Sequence, residues 1–240
     1  MIFSFSTLLN NFSNISHAFT TKDSCNLAFH VNDLKIDVIK RHEALAKELN
    51  YNKNSLVHMK QIHSDIVYIV DSKDNFDYPP TCDALITDIK NKPLMVMVAD
   101  CSPILFYDKV KEVIAVAHAG RQGAFKNIIK NVLDKFTNNF NSDIGNILVS
   151  IGPNIKSCCY EVGLEIKIEA EKLNLEYSNN NNNFFLNIDK ILKTQLLEYG
   201  LLEKNIEISD ECTKCKKDKY FSYRANSNTG RFAGIIYMKE

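Results

Sequence analysis

Three short phrases of the chain carry side chains that bind soft or borderline metals: QIHSDIV (61–67), VADCSPILF (98–106) and VAHAGRQG (116–123). They supply His63, Cys101 and His118. Two imidazoles and one thiolate suit zinc, and three protein ligands leave a fourth position open, as in catalytic and not in closed structural sites. Each residue also has an ordinary reading. Cys101, between two apolar runs, reads as a small buried hydrophobe. His118 and His63 read as hydrogen-bonded core or turn histidines, and His58 competes with His63 for any ligand role. If residues 57–63 are extended, positions 58 and 63 point to opposite faces, so only one of them lines a given pocket. None of these spacings forms a compact metal knuckle, and by spacing alone the metal stays open. A Cys–His hydrolase with Cys101 as nucleophile, activated by His118, is a further reading of the same residues.

Other chemistry-bearing groups are fewer. Cys212 and Cys215 form one C-x-x-C, which suits a redox pair or half a zinc knuckle, but no second C-x-x-C accompanies it, and it is assigned to structure. Cys158 and Cys159 are neighbours; on a strand they would face opposite ways, and they are assigned to packing. Asp100, beside Cys101, is a candidate acid/base, with fixing of the turn as the competing role. After His118, the run A-G-R-Q-G leads into an amphipathic helix expected to start near Gly123, whose first N–H groups lack intrahelical partners. That turn is an expected anion site, with Arg121 in it. Arg41 and Arg224 are the other guanidinium candidates for bidentate phosphate binding.

The elements that must position these groups are short and mixed. Segments 64–70, 93–99, 103–108, 112–118, 147–152 and 233–238 read as strands, rich in β-branched residues and bounded by turn signals. Phe125, Ile128, Ile129, Val132, Leu133 and Phe136 repeat at helical spacing, as do Ile188, Ile191, Leu192 and Tyr199. Further helices are expected over 36–49 and 163–174. Strands 93–99, 103–108 and 112–118 are too close in sequence for crossover helices, so that part of the sheet is antiparallel or bent. The class is mixed α+β. The polar run SNNNNN (178–183) reads as a loop or hairpin tip.

The whole composition is that of one globular domain: 240 residues, 45% hydrophobic and 24% charged. The formal net charge is zero, which leaves no electrostatic footprint for a nucleic acid polymer. No stretch reaches transmembrane length, and the first residues lack the basic and apolar regions of a signal peptide. Seven cysteines, an odd number at irregular spacing, point to reduced thiols and a cytoplasmic setting.

Taken in order, QIHSDIV, CDALITD, VADCSPILF, AVAHAGRQGAF, IGPNIKSCCYEVG and FSYRANSNTGRFAGII resemble the YfiH family, also called laccase-domain or multicopper polyphenol oxidoreductase proteins, over roughly residues 15–238. The resemblance implies a single domain in which mixed sheets form a sandwich flanked by helices. It implies one zinc per chain on His63, Cys101 and His118. It further implies phosphorolysis of adenosine, inosine, guanosine and methylthioadenosine, with adenosine deamination as a second activity. Gln61, Arg41, Arg121 and Arg224 are then candidate substrate-binding residues, and purine nucleosides and phosphate the small-molecule partners; a homodimer is compatible with the chain. Where relatives read H-A-G-W-R-G, this chain has Arg121 and Gln122 in place of tryptophan and arginine, and its N-terminal loop is the short TTKDSCNLAF. The laccase label itself implies copper, but six histidines with no H-x-H pair do not supply a multicopper set, so copper-dependent polyphenol oxidation is the weaker alternative.

Overall fold

The computed structural model describes residues 1–180 and 183–240. Its main body is two packed sheets between helices. The larger sheet has six strands in the order β12 (Ile206–Ile208), β8 (Ile147–Ile151), β6 (Ser102–Asp108), β7 (Val113–Ala119), β4 (Ala84–Thr87) and β3 (Val67–Ile69). β6 runs antiparallel to both β7 and β8, while β3 is parallel to β4 and β12 to β8. The second sheet orders β1 (Phe3–Ser4), β2 (Ile15–Thr20), β13 (Phe232–Met238) and β5 (Leu94–Val98), all antiparallel. A small third sheet joins β10 (Tyr177–Asn180), β11 (Asn183–Leu186) and β9 (Glu161–Val162). The helices are α1 (Lys35–Glu48), α2 (Arg121–Phe125), α3 (Ile128–Phe140), α4 (Leu164–Lys172) and α5 (Ile188–Glu198).

The central strands are apolar on both faces, because both faces are covered. On β6, Leu105 and Tyr107 enter the core between the two sheets, while Ile104 and Phe106 enter the core under α3 and α5. β7 divides likewise, with Ile114 and Val116 on one side and Val113, Ala115 and Ala117 on the other. On β5, Leu94, Val96 and Val98 face the inter-sheet core, and Met95 and Met97 face a third cluster with Leu45 of α1. The layers are therefore helix, sheet, sheet, helix, and the mixed α+β sandwich expected from the sequence is the fold observed.

Two local expectations change. The helix expected near Gly123 begins at Arg121 and is only five residues long. Asn127, in the left-handed region at φ 57°, then caps a separate helix, α3, through its side chain on Lys130 N. The strands 93–99 and 103–108 do not share a sheet; the chain crosses between sheets where they meet. Part of SNNNNN is paired, in the β10–β11 ladder, and Asn181 and Asn182 lie outside the described residues. No helix among the described residues is long and apolar enough to cross a membrane.

Candidate metal centre

Cys101 owes its position to that crossing. Only residues 99–101 separate β5 in one sheet from β6 in the other, and Asp100 takes the turn at φ +86°, a conformation costly for a residue with a Cβ. Its carboxylate holds it there, accepting from Thr213 Oγ1 at 2.6 Å and from Arg224 N at 2.6 Å. Its carbonyl accepts from Ile155 N at 2.9 Å. The next residue, Cys101, is half-buried at the mouth of the sandwich.

His63 and His118 are tied to one buried carboxylate. Asp83, wholly buried just before β4, accepts from Ile62 N (3.2 Å), His63 N (3.1 Å), Ser64 N (2.6 Å) and Ser64 Oγ (2.6 Å). These bonds hold His63 at φ +58°, in the left-handed region. The same carboxylate lies 2.8 Å from His118 Nδ1, at the end of β7. The carboxylate can only accept, so Nδ1 carries a proton and Nε2 is the nitrogen available to a metal, the arrangement in which an outer carboxylate would orient a metal-binding imidazole.

The ligand atoms of His63, Cys101 and His118 lie within 4.8 Å of one another, and the two rings meet edge to face with centroids 4.8 Å apart. Gly120 makes room for them: a Cβ there would stand 2.6 Å from Cys101 Sγ. Burial opposes charge on Cys101, but the His118 imidazolium beside it brings the thiol down to about 6. Burial likewise opposes charge on His118, yet the Cys101 thiolate and Asp83 carry it up to about 9. Against its own desolvation, Asp83 is held down to about 2 by hydrogen bonds from His118 and Ser64. Without metal the pair is thiolate and imidazolium. The donor set fits one soft or borderline cation, which would take the place of that shared proton.

The three side chains open into a cavity of about 540 Å3, within the usual size of small-molecule sites. Its wall includes His30, Tyr160, Tyr223 and the guanidinium-bearing Arg121, Arg224 and Arg231.

Residues 10–239 match the family described as multi-copper polyphenol oxidoreductase laccase. The chain belongs to this family. The structure of the hypothetical protein YfiH from Bacillus licheniformis superposes with a TM-score of 0.90 at 28% identity, covering 96% of this chain and 94% of that one. YlmD from Geobacillus stearothermophilus also gives 0.90, at 26% identity over 95% and 93% of the two chains. Among curated relatives, the purine nucleoside phosphorylase YlmD of Bacillus subtilis is 30% identical over 91% of this chain and 83% of its own. A purine nucleoside phosphorylase of Clostridium acetobutylicum is 36% identical over 79% of each chain.

For a member of the laccase-domain family, the placement of the expected residues is informative. The three candidate ligands converge, whereas His58 is buried elsewhere, with Nε2 3.1 Å from Phe76 O and its ring stacked near His42. Arg41 is not among the residues that line the cavity; its guanidinium is paired with Asp33 and donates to Asn26 O. Gln61 lines the wall, but its amide is bonded at both ends to Met97, donating to O at 2.8 Å and accepting from N at 2.9 Å. Asp100 is similarly committed, with both carboxylate oxygens holding loops, so the geometry favours positioning over acid/base chemistry. Arg121 lines the wall while paired with the exposed Glu169 at 2.6 Å, and Arg224 donates to Glu161 O at 2.6 Å and lies over Tyr160. Sequence reasoning missed Asp83, His30 and Arg231. CDALITD and the arginine of NTGRFAG were visible as phrases, but nothing local marks Asp83 as the partner of a histidine 35 residues away.

Proposed function

We propose that the chain is a zinc-dependent purine nucleoside phosphorylase, acting on adenosine, inosine, guanosine and methylthioadenosine, with adenosine deamination at the same site. The observation that carries this reading is the open set of two histidines and one cysteine at the floor of an arginine-flanked cavity. Relatives that bear the phosphorylase name across most of both chains support it. Zinc bound there supplies a Lewis acid and an acidified fourth ligand position. Asp83 keeps His118 in the ligating tautomer, Asp100 sets the Cys101 turn, and Gly120 keeps the space beside Sγ clear.

Phosphorolysis requires a phosphate oxygen to bond to C1′ as the C1′–N9 bond breaks; the base leaves with that electron pair and takes up a proton. Arg121, Arg224 and Arg231 present the cationic side on which phosphate is held. Deamination replaces the 6-amino group by water oxygen and releases ammonia. Tyr223 and Tyr160 offer aromatic faces for the purine. Zinc is favoured over copper because a multicopper oxidase needs several histidine-rich sets, and the other metal-capable group among the described residues is made of four cysteines. All seven cysteines are free thiols, which supports a cytoplasmic setting.

Chromatography of adenosine incubated with and without phosphate tests the reading. Adenine and ribose 1-phosphate should form only with phosphate, and inosine in both cases. Formation of neither product by the zinc-loaded protein would overturn it. One observation favours a second reading, a Cys–His hydrolase: the thiolate–imidazolium pair of Cys101 and His118. That enzyme would work in chelator and would be silenced by thiol alkylation.

A further inference from the structure

The cysteines outside the first centre are gathered as well. Two loops leave the same end of the larger sheet, because β12 lies parallel to β8 and the pairing continues beyond both strands to a bridge between Asn154 and Cys212. Thr213 N donates to Asn154 O at 3.0 Å, which locks the loops side by side. The first loop carries Cys158 and Cys159, the second Cys212 and Cys215. Cys158 and Cys159 were expected to diverge as strand neighbours, but they sit in a tight turn, where Cys159 N and Tyr160 N both donate to Lys156 O at 2.9 Å. The alternation of a strand does not apply there. The vicinal pair is the partner that the lone C-x-x-C lacked.

We infer that Cys158, Cys159, Cys212 and Cys215 form a second metal site, a closed tetrathiolate cage for one structural zinc ion. All four sulfurs lie within 4.8 Å of one another, with Cys159 and Cys215 Sγ 3.4 Å apart and Cys158 and Cys215 Sγ 3.7 Å apart. Zinc–sulfur bonds of about 2.3 Å in a tetrahedron place sulfurs roughly 3.8 Å apart. A disulfide needs about 2.05 Å, and the sulfurs are not bonded. Lys156 N lies 3.5 Å from Cys212 Sγ, a backbone donor to a ligand thiolate such as orients ligands around metal sites. Four thiolates around a dication leave a net charge of about −2. Lys214 and Lys217 neighbour Cys215 in sequence, while Lys216 is paired with Glu211 at 2.7 Å. With every coordination position filled by sulfur, the ion does no chemistry.

Its role is to fasten a wall of the first centre. Tyr160 follows Cys159 directly and lines the substrate cavity, and Thr213, inside the C-x-x-C, donates to Asp100 beside Cys101. Arg224, farther along the second loop, donates its N–H to the same carboxylate. The cage joins two loops otherwise held by a few hydrogen bonds, among them Lys156 Nζ to Ser209 O at 2.5 Å.

Metal analysis combined with zinc-edge X-ray absorption on the reduced full-length protein tests the site without reference to activity. The wild type should hold two zinc ions per chain, and Cys101→Ala should hold one, with an all-sulfur shell. Cys158→Ser and Cys215→Ser should lose the all-sulfur ion, keep the mixed nitrogen and sulfur one, and melt at a lower temperature. If the serine variants do not fold, the Cys101→Ala arm decides alone. Cys101→Ala protein free of zinc, or holding zinc with nitrogen ligands, would overturn the cage. So would alkylation and mass measurement showing these four cysteines as disulfides in the purified protein.

Discussion

Asp83→Asn is the perturbation that separates a designed ligand-holding carboxylate from a merely buried one. Asparagine keeps the shape of the side chain, so no cavity opens. Asp83 has no exposed surface and accepts five hydrogen bonds, from three backbone N–H groups, the Ser64 hydroxyl and His118 Nδ1. An amide replaces one acceptor oxygen by an NH2 donor, which then faces a donor whichever way it turns. The change removes the negative charge that helps raise His118 to about 9 and loosens the tautomer that presents Nε2. Outer partners of metal-bound histidines typically contribute 10- to 100-fold in affinity, or about 1.4–2.7 kcal/mol. Zinc affinity measured by competition with a chelating dye should fall by that factor. Ser64→Ala, which removes one of the five bonds and no charge, should cost less. Thermal melts of both metal-free variants separate lost affinity from lost fold. Asp83→Asn with native zinc affinity would refute the argument that Asp83 orients the centre.

Other expected outcomes follow from the same geometry. Between about pH 6 and 9 the Cys101–His118 pair carries one proton, because the thiol lies near 6 and the imidazole near 9, so binding metal there must expel it. Apparent zinc affinity should therefore rise about tenfold per pH unit across that window and flatten above it; a pH-independent affinity between 7 and 9 would contradict the pair. Gly120→Ala should displace Cys101 Sγ, given a Cβ 2.6 Å away, and lower zinc binding at the first centre, measured as metal content, while far-ultraviolet dichroism stays native. Arg224→Ala should raise the KM for phosphate at least tenfold while adenosine deamination falls less, since only phosphorolysis consumes the anion; parallel losses would make Arg224 a loop anchor through its contact with Glu161.

Much of the fold was legible because the strands are buried on both faces and read as continuous apolar runs. VIAVAHA and PILFYD announce themselves in this way, and their antiparallel pairing follows from the four residues between them. The sheet change between β5 and β6 was less legible. It depends on Asp100 adopting a positive φ that Thr213 and Arg224, more than a hundred residues later, hold in place. The break between α2 and α3 hid for a similar reason, since Phe125 to Phe136 keep helical spacing straight through the left-handed Asn127. At the site, ligand types could be read from three phrases, but convergence could not, because spacing along a strand says nothing of which strand ends meet. The cysteine cage shows the point most sharply: four residues 1 to 57 positions apart become neighbours only through the parallel pairing of β8 and β12.

The central claim is that phosphorolysis depends on one ion held by His63, Cys101 and His118. It is tested most directly by stripping the protein of metal, restoring zinc in graded amounts, and measuring adenine and ribose 1-phosphate formed from adenosine and phosphate. Activity should rise in proportion to zinc bound with mixed nitrogen and sulfur ligands, and no addition of zinc should restore Cys101→Ala. Stripped protein that turns over adenosine as fast as reconstituted protein would contradict the account.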